Sequence, residues 1–94
     1  GVSIAFLPVY KDVDGVDQIE YFKLHLVNET TYSLDYSFSC LVENVKIFSH
    51  SGLLVPYANE LLFHLPFHQA ADAPQFYWTL QPRYDARLGP VCTG

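Results

Sequence analysis

Apolar residues return at every second position over much of this chain. The clearest run sets Tyr32, Leu34, Tyr36, Phe38 and Cys40 against Ser33, Asp35, Ser37 and Ser39. Successive side chains of an extended chain point to opposite faces, so this run predicts a strand with one buried and one wet face. Ahead of it, Phe22, Leu24 and Leu26 alternate with Tyr21, Lys23, His25 and Val27. Between the two runs lies Asn28-Glu29-Thr30-Thr31, a turn-like segment whose short polar side chains bond readily to nearby backbone. The two runs are expected to form an antiparallel hairpin, with Phe22, Leu24, Leu26, Leu34, Tyr36 and Phe38 turned toward one core.

The rest of the chain reads in the same period. An apolar run from Val2 to Tyr10 carries Pro8 near its end, which fits a strand end or an edge because proline offers no amide proton. The polar loop Lys11 to Asp17 follows, with an Asp14-Gly15 turn signal. Val45, Ile47 and Phe48 predict a short strand closed by Ser51-Gly52, and Leu53 to Val55 another. Leu61, Phe63, Leu65 and Phe67 alternate with Leu62, His64, Pro66 and His68 in a longer strand. After the loop Ala71-Asp72-Ala73-Pro74, Phe76, Trp78 and Leu80 alternate with Tyr77, Thr79 and Gln81 in a last strand before Pro82. No segment has a helical period, and Arg83 to Gly94 has no clear pattern. About six to seven short strands separated by turn signals predict an all-β fold, an antiparallel β-sandwich or flattened barrel.

Ninety-four residues close one modest core and leave no room for a second, so residues 1–94 are read as a single β-domain. With Gly1 rather than Met at its start, it is expected to be a piece of a longer protein. Its seven Tyr, seven Phe and one Trp suit a pleated, half-buried surface. Ten acidic residues outweigh five basic ones, for a net charge of -5. The basic residues, Lys11, Lys23, Lys46, Arg83 and Arg87, are scattered, whereas neutralising phosphates takes clustered positive charge. The balance therefore argues against direct nucleic-acid binding by this segment and against an anionic membrane surface. Cys40 and Cys92 are too few for a disulfide-stapled secreted domain and are read as free thiols. No apolar run is long enough to span a bilayer and no leader begins the chain, so a cytoplasmic location is expected.

The sequence offers little chemistry. A phosphate loop of the Gly-x4-Gly-Lys-Ser/Thr form, a glycine-rich dinucleotide loop, a His-Glu-x-x-His zinc site and a Gly-x-Ser-x-Gly nucleophile elbow are all missing. His64 and His68 have metal-ligand spacing on a helix, but on the predicted strand they stand roughly 13 Å apart, too far for one ion. His25 and His50 are isolated. Asp12, Asp14 and Asp17 resemble a calcium loop only in part and are better read as a solvated acidic loop. Asn28-Glu29-Thr30 is formally an N-glycosylation acceptor, although turn chemistry already accounts for it. Tyr21, Tyr57, Tyr77 and Trp78 include enough aromatic surface to stack on sugars or bases, yet a domain this small needs most of its aromatics for packing. No catalytic, cofactor-binding or metal residue is assigned, and the segment is not expected to be an enzyme or to hold a cofactor. The candidate interaction surface is the outward set Tyr21, Tyr77 and Thr79.

The order of residues adds a resemblance. Ile4-Ala5-Phe6-Leu7-Pro8 and the stretch Leu24-His25-Leu26-Val27-Asn28-Glu29-Thr30-Thr31-Tyr32-Ser33-Leu34-Asp35-Tyr36 resemble a Bacteroidetes family of unknown function found upstream of the Smr (small MutS-related) domain. There a Phe-Leu-Pro strand precedes a strand ending in Leu-Val-Asn, a Ser/Thr-containing turn and a Tyr-rich strand. The likeness is good through residue 36, loose through Gly52 and Pro56, and covers about half of the chain. It implies an accessory domain of a MutS-related protein of the DNA mismatch-repair type, whose DNA-directed activity resides in the Smr part. No family residue with a catalytic role maps onto this sequence.

Two readings follow. In the first, the domain mediates protein contacts, with other domains of its parent, a protein partner or a second copy of itself, and positions a neighbouring Smr domain. In the second, it is a secreted β-sandwich that binds carbohydrate or protein through Tyr and Trp.

Overall fold

The computed structural model describes residues 1–83. It is an all-β structure of six strands in two antiparallel three-stranded sheets. In the first sheet β1 (Val2–Val13) and β5 (Asn59–Pro66) flank β2 (Val16–Asn28). In the second, β4 (Val45–Leu54) and β6 (Gln75–Pro82) flank β3 (Leu34–Val42). A single helical turn, α1 (Phe67–Ala70), carries the chain from β5 to β6.

Both hairpins close with two-residue turns in which both central residues have positive φ, at 53° and 80° for Asp14-Gly15 and 51° and 66° for Glu43-Asn44. That backbone matches the right-handed twist of the flanking strands. In the first hairpin the Gly15 amide donates to Asp12 Oδ1 at 2.8 Å. The segment from Lys11 to Asp17, expected as a loop, is thereby strand on both sides of a tight turn, with Val13 opposite Val16.

β3 shows the period-two pattern in full: Leu34, Tyr36, Phe38, Cys40 and Val42 are buried, and the residues between them are exposed or half-exposed. Leu24 and Leu26 of β2 are fully buried on the facing sheet, and Phe22 lies half-buried on the same face. Five of the six residues expected on one core are buried, and Phe22 is half-buried at its margin. The main cluster joins Leu26 to Leu34, Tyr36, Phe38, Cys40 and Leu54, with Ile4, Phe48, Phe63 and Phe76 packed against it. One flank of the sandwich is shut by Phe48 of β4 stacked on Phe63 of β5, 4.4 Å between centroids at 8°.

Four sequence expectations need correction. β2 and β3 are not a hairpin; they lie in different sheets, and residues 29–33 arch between the layers. Two alternating runs that share a core can pair side by side or face each other, and the period is the same in both cases. Tyr32 belongs to this arch and is 64% exposed, so the buried run starts at Leu34. The two short strands expected on either side of Ser51-Gly52 are one, because Gly52 continues the ladder opposite Tyr36. A Cβ at Gly52 would meet the Tyr36 ring at 3.4 Å, which makes the glycine a packing choice rather than a turn. Last, the strand ending in Phe67 stops at Pro66, and Phe67 and His68 enter α1. A strand's ladder needs the amide proton that proline lacks, whereas proline just before a first helical turn does no harm.

Beyond Tyr21, β2 has no β5 partner, so Tyr10–Glu20 projects as a two-stranded arm. The described residues accordingly extend over 62 × 29 × 16 Å. Leu24→Ala or Leu34→Ala should lower unfolding free energy by about 2–5 kcal/mol, since each removes a large buried side chain from a core that cannot fully collapse. Urea denaturation checks this; a change near zero at both positions would mean that the inner faces are wrongly assigned.

Candidate interaction surface

Tyr21, Tyr77 and Thr79 all point outward, but not together. Tyr21 lies on the outer face of the first sheet, where its ring stacks on His64, 4.6 Å between centroids. Tyr77 and Thr79 lie on the outer face of the second sheet, opposite Ser39 and Ser37. The two outer faces look in opposite directions, so the expected surface divides. What remains is Tyr77 and Thr79, two exposed neighbours on one edge strand.

The same strand contributes to the open flank. β1 and β6 are edge strands on one side of the sandwich, brought together by Phe6 and Phe76 in an edge-to-face contact at 5.6 Å. Among the described residues no further layer covers their inward side chains, and Phe6 stays 46% exposed and Trp78 40%. Trp78 sits opposite Phe38, which is 1% exposed, so the same inner face is sealed at its centre and open at its rim. A rim of this kind, on edges with unpaired backbone groups, is the usual signature of a contact surface. Tyr77 was legible from its alternation; the exposure of Trp78 was not, because an inward position in sequence does not reveal an edge.

At the end of the arch a second cluster is built around Asn28, which is fully buried. Its Nδ2 donates to the carbonyls of Tyr32 at 2.8 Å, Val55 at 3.0 Å and, more weakly, Leu54 at 3.3 Å. Its Oδ1 accepts from the Thr30 amide at 2.9 Å and the Thr30 hydroxyl at 2.6 Å. The Asn28 amide itself donates to Ala58 at 2.8 Å. Both polar atoms of the side chain and the backbone amide are used, and glycosylation of Asn28 in the folded state is ruled out. The turn chemistry read from the sequence is correct, and it does more than a turn requires.

The other titratable candidates are accounted for locally. His64 and His68 are exposed on different elements, His64 on Tyr21 and His68 in α1. His25 Nδ1 lies 2.8 Å from Asn59 Oδ1. Asp12 and Asp17 oppose each other across the first hairpin, with Asp12 engaged by the Gly15 amide. Among the described residues, no group of three metal-ligating side chains converges. A cleft of about 310 Å³ lies between the arm and α1, and the described residues that line it, Gln18, Ile19 and Phe67, carry no titratable group. The fully buried Cys40 is unbridged among the described residues, and burial raises its thiol above the ordinary value. Cys92 lies outside the described residues.

Comparison with known proteins finds no protein-family model, no curated protein and no solved structure that matches this chain.

Asn28→Ala should cost on the order of 3 kcal/mol, because it takes the donor from the buried Leu54 carbonyl and the part-buried Tyr32 and Val55 carbonyls and leaves a cavity, an unsatisfied buried group alone costing about 1–3 kcal/mol. Asn28→Asp, equal in size but without the amide donors, should be at least as damaging. Asn59→Ala, at an exposed position, should stay within about 0.5 kcal/mol. Chemical denaturation of the three variants decides it, and equal small effects would contradict the role given to Asn28.

Tyr36 gives a pH dependence. Burial, aided by the Glu60 carboxylate, raises its phenol above the ordinary 10.0. The folded state then holds this proton more tightly than the unfolded chain does. Its stabilisation is complete below about pH 10 and is lost as pH rises through the higher folded value. Thermal melts above pH 10 should fall less steeply for Tyr36→Phe than for the wild type, and parallel slopes would contradict the assignment.

Proposed function

We propose that this is a non-catalytic accessory domain that mediates protein contacts, and that within a cytoplasmic, MutS-related parent it positions a neighbouring Smr-type domain. The observation that carries the contact role is the open flank, where Phe6 and Trp78 are 46% and 40% exposed on unpaired edge strands. Large apolar side chains grouped on such a rim are stabilised by being covered. The link to an Smr-type parent rests on the resemblance over residues 4–8 and 24–36. The second of these segments coincides with the end of β2, the Asn28 arch and the start of β3. It therefore bears on the domain's architecture more than on its partner.

A reading as a sugar-stacking module has less support. Tyr21, Tyr77 and Trp78 lie on three different faces, the outer face of the first sheet and the outer and inner faces of the second, and do not assemble one platform. The net charge of -5 further favours a protein partner over a nucleic acid.

Titration of the isolated domain with the remainder of its parent protein, followed by calorimetry, should show association that Phe6→Ser weakens at least tenfold. Binding should persist at high salt, because the contact is apolar. No association in either salt condition, or DNA binding by the isolated domain as tight as that of the full-length parent, would overturn the proposal.

A further inference from the structure

The four edge strands are not equally protected. Edges of natural sheets avoid pairing with other chains by charge, proline, bulges or cover. β1 carries Pro8, Lys11 and Asp12 and a register shift against β2. β4 carries Lys46 and a shift against β3, and β5 carries Glu60 and a shift against β2. β6 carries neither a charge nor a register shift, and among the described residues no other element pairs with its outer edge. It runs eight residues, Gln-Phe-Tyr-Trp-Thr-Leu-Gln-Pro, without a charge, in unbroken register with β3, and its one proline is the last residue.

We infer that the occupant of this edge is β6 of a second copy of this chain, paired antiparallel about a two-fold axis through Trp78. The inference rests on the reading of this flank as a contact surface. Two considerations select a second copy. In a molecule of net charge -5, β6 is the edge strand along which two copies meet with no like charges in the ladder. The strand is also self-complementary in that register, since residues directly opposite must share a face. With Trp78 opposite Trp78, Phe76 meets Leu80 on the inner face. On the outer face Tyr77 meets Thr79 and Gln75 meets Gln81. Every pair is apolar with apolar, hydroxyl with hydroxyl or amide with amide. A shift by one residue sets inner side chains against outer ones, and a shift by two sets Pro82 opposite Phe76 in one direction or Pro74 opposite Leu80 in the other. The product is a continuous six-stranded sheet, β4-β3-β6-β6-β3-β4, closed by symmetry and therefore limited to a dimer.

Trp78 is the single tryptophan, so its fluorescence reports on this edge and nothing else. Sedimentation and tryptophan emission of the wild-type domain are followed over a dilution series. The expected result is a monomer–dimer equilibrium insensitive to salt, with emission shifting to the red on dilution at the same midpoint. The double substitution Tyr77→Lys, Thr79→Lys sets like charges opposite each other twice across the axis, on a face exposed in the monomer. It should raise the dissociation constant at least tenfold while leaving circular dichroism unchanged, and added salt should recover part of the loss. Mixing it with Tyr77→Glu, Thr79→Glu should restore association as a one-to-one heterodimer, which also shows that both variants are folded. A wild type that stays monomeric to millimolar concentration overturns the inference, as does a dimer that the lysine variant leaves intact. A monomer that still binds the rest of its parent sinks this inference and keeps the contact role. A dimer that does not bind the parent keeps this inference and the flank as a contact surface, and sinks the positioning of a neighbouring domain.

Discussion

One buried carboxamide ties the two layers of this sandwich together. Asn28 closes β2, and its side chain reaches the start of the arch at Thr30, the middle at Tyr32 and the end of β4 at Val55. An arch between sheets needs partners from outside the ladders, because its amides and carbonyls belong to neither sheet and those turned toward the core are cut off from water. Asn supplies two donor protons and an acceptor on one short, rigid branch, which is the valence this site needs. With Asn28 in place no buried side-chain polar atom among the described residues lacks a partner. The fixed arch then sets Leu34 to Val42 over Leu24 and Leu26, and the rest of the core follows from that alignment.

The consequences run outward from the centre. β2 and β3 are the central strands of their sheets and hold the fully sealed positions Leu24, Leu26, Phe38 and Cys40. The edges differ because the layers meet unequally: Phe48 stacked on Phe63 shuts one flank, whereas Phe6 touching Phe76 edge to face leaves the other open beside Trp78. The contact role and the pairing of β6 both derive from that asymmetry. A small two-layer fold has too few residues to cover every edge, and of the edges among the described residues that of β6 is uncharged.

Much of this was legible from alternation alone. The period of two named the inward residues of β2, β3 and β6, and so the fold class, because side-chain direction in a strand is local. Pairing is not local. The runs on either side of Asn28 read as a hairpin, and nothing in their period distinguishes neighbours in one sheet from facing strands in two. Gly52 read as a turn because its reason for being small, the Tyr36 ring beside it, lies on another strand. Tyr21 read as part of one surface with Tyr77 for the same cause: both point outward, and only the assembled layers show that the two outsides are opposite. Asn28 stood out as turn chemistry, but its burial required knowing that the turn passes between sheets.

The central claim is that the Asn28 side chain is locked at the junction of the two layers, and hydrogen exchange of its own Nδ2 protons measures this most directly. By NMR those protons should exchange only through opening of the whole domain, with protection close to that of the β3 backbone amides. Exchange as fast as that of the exposed Asn59 side-chain amide would contradict it.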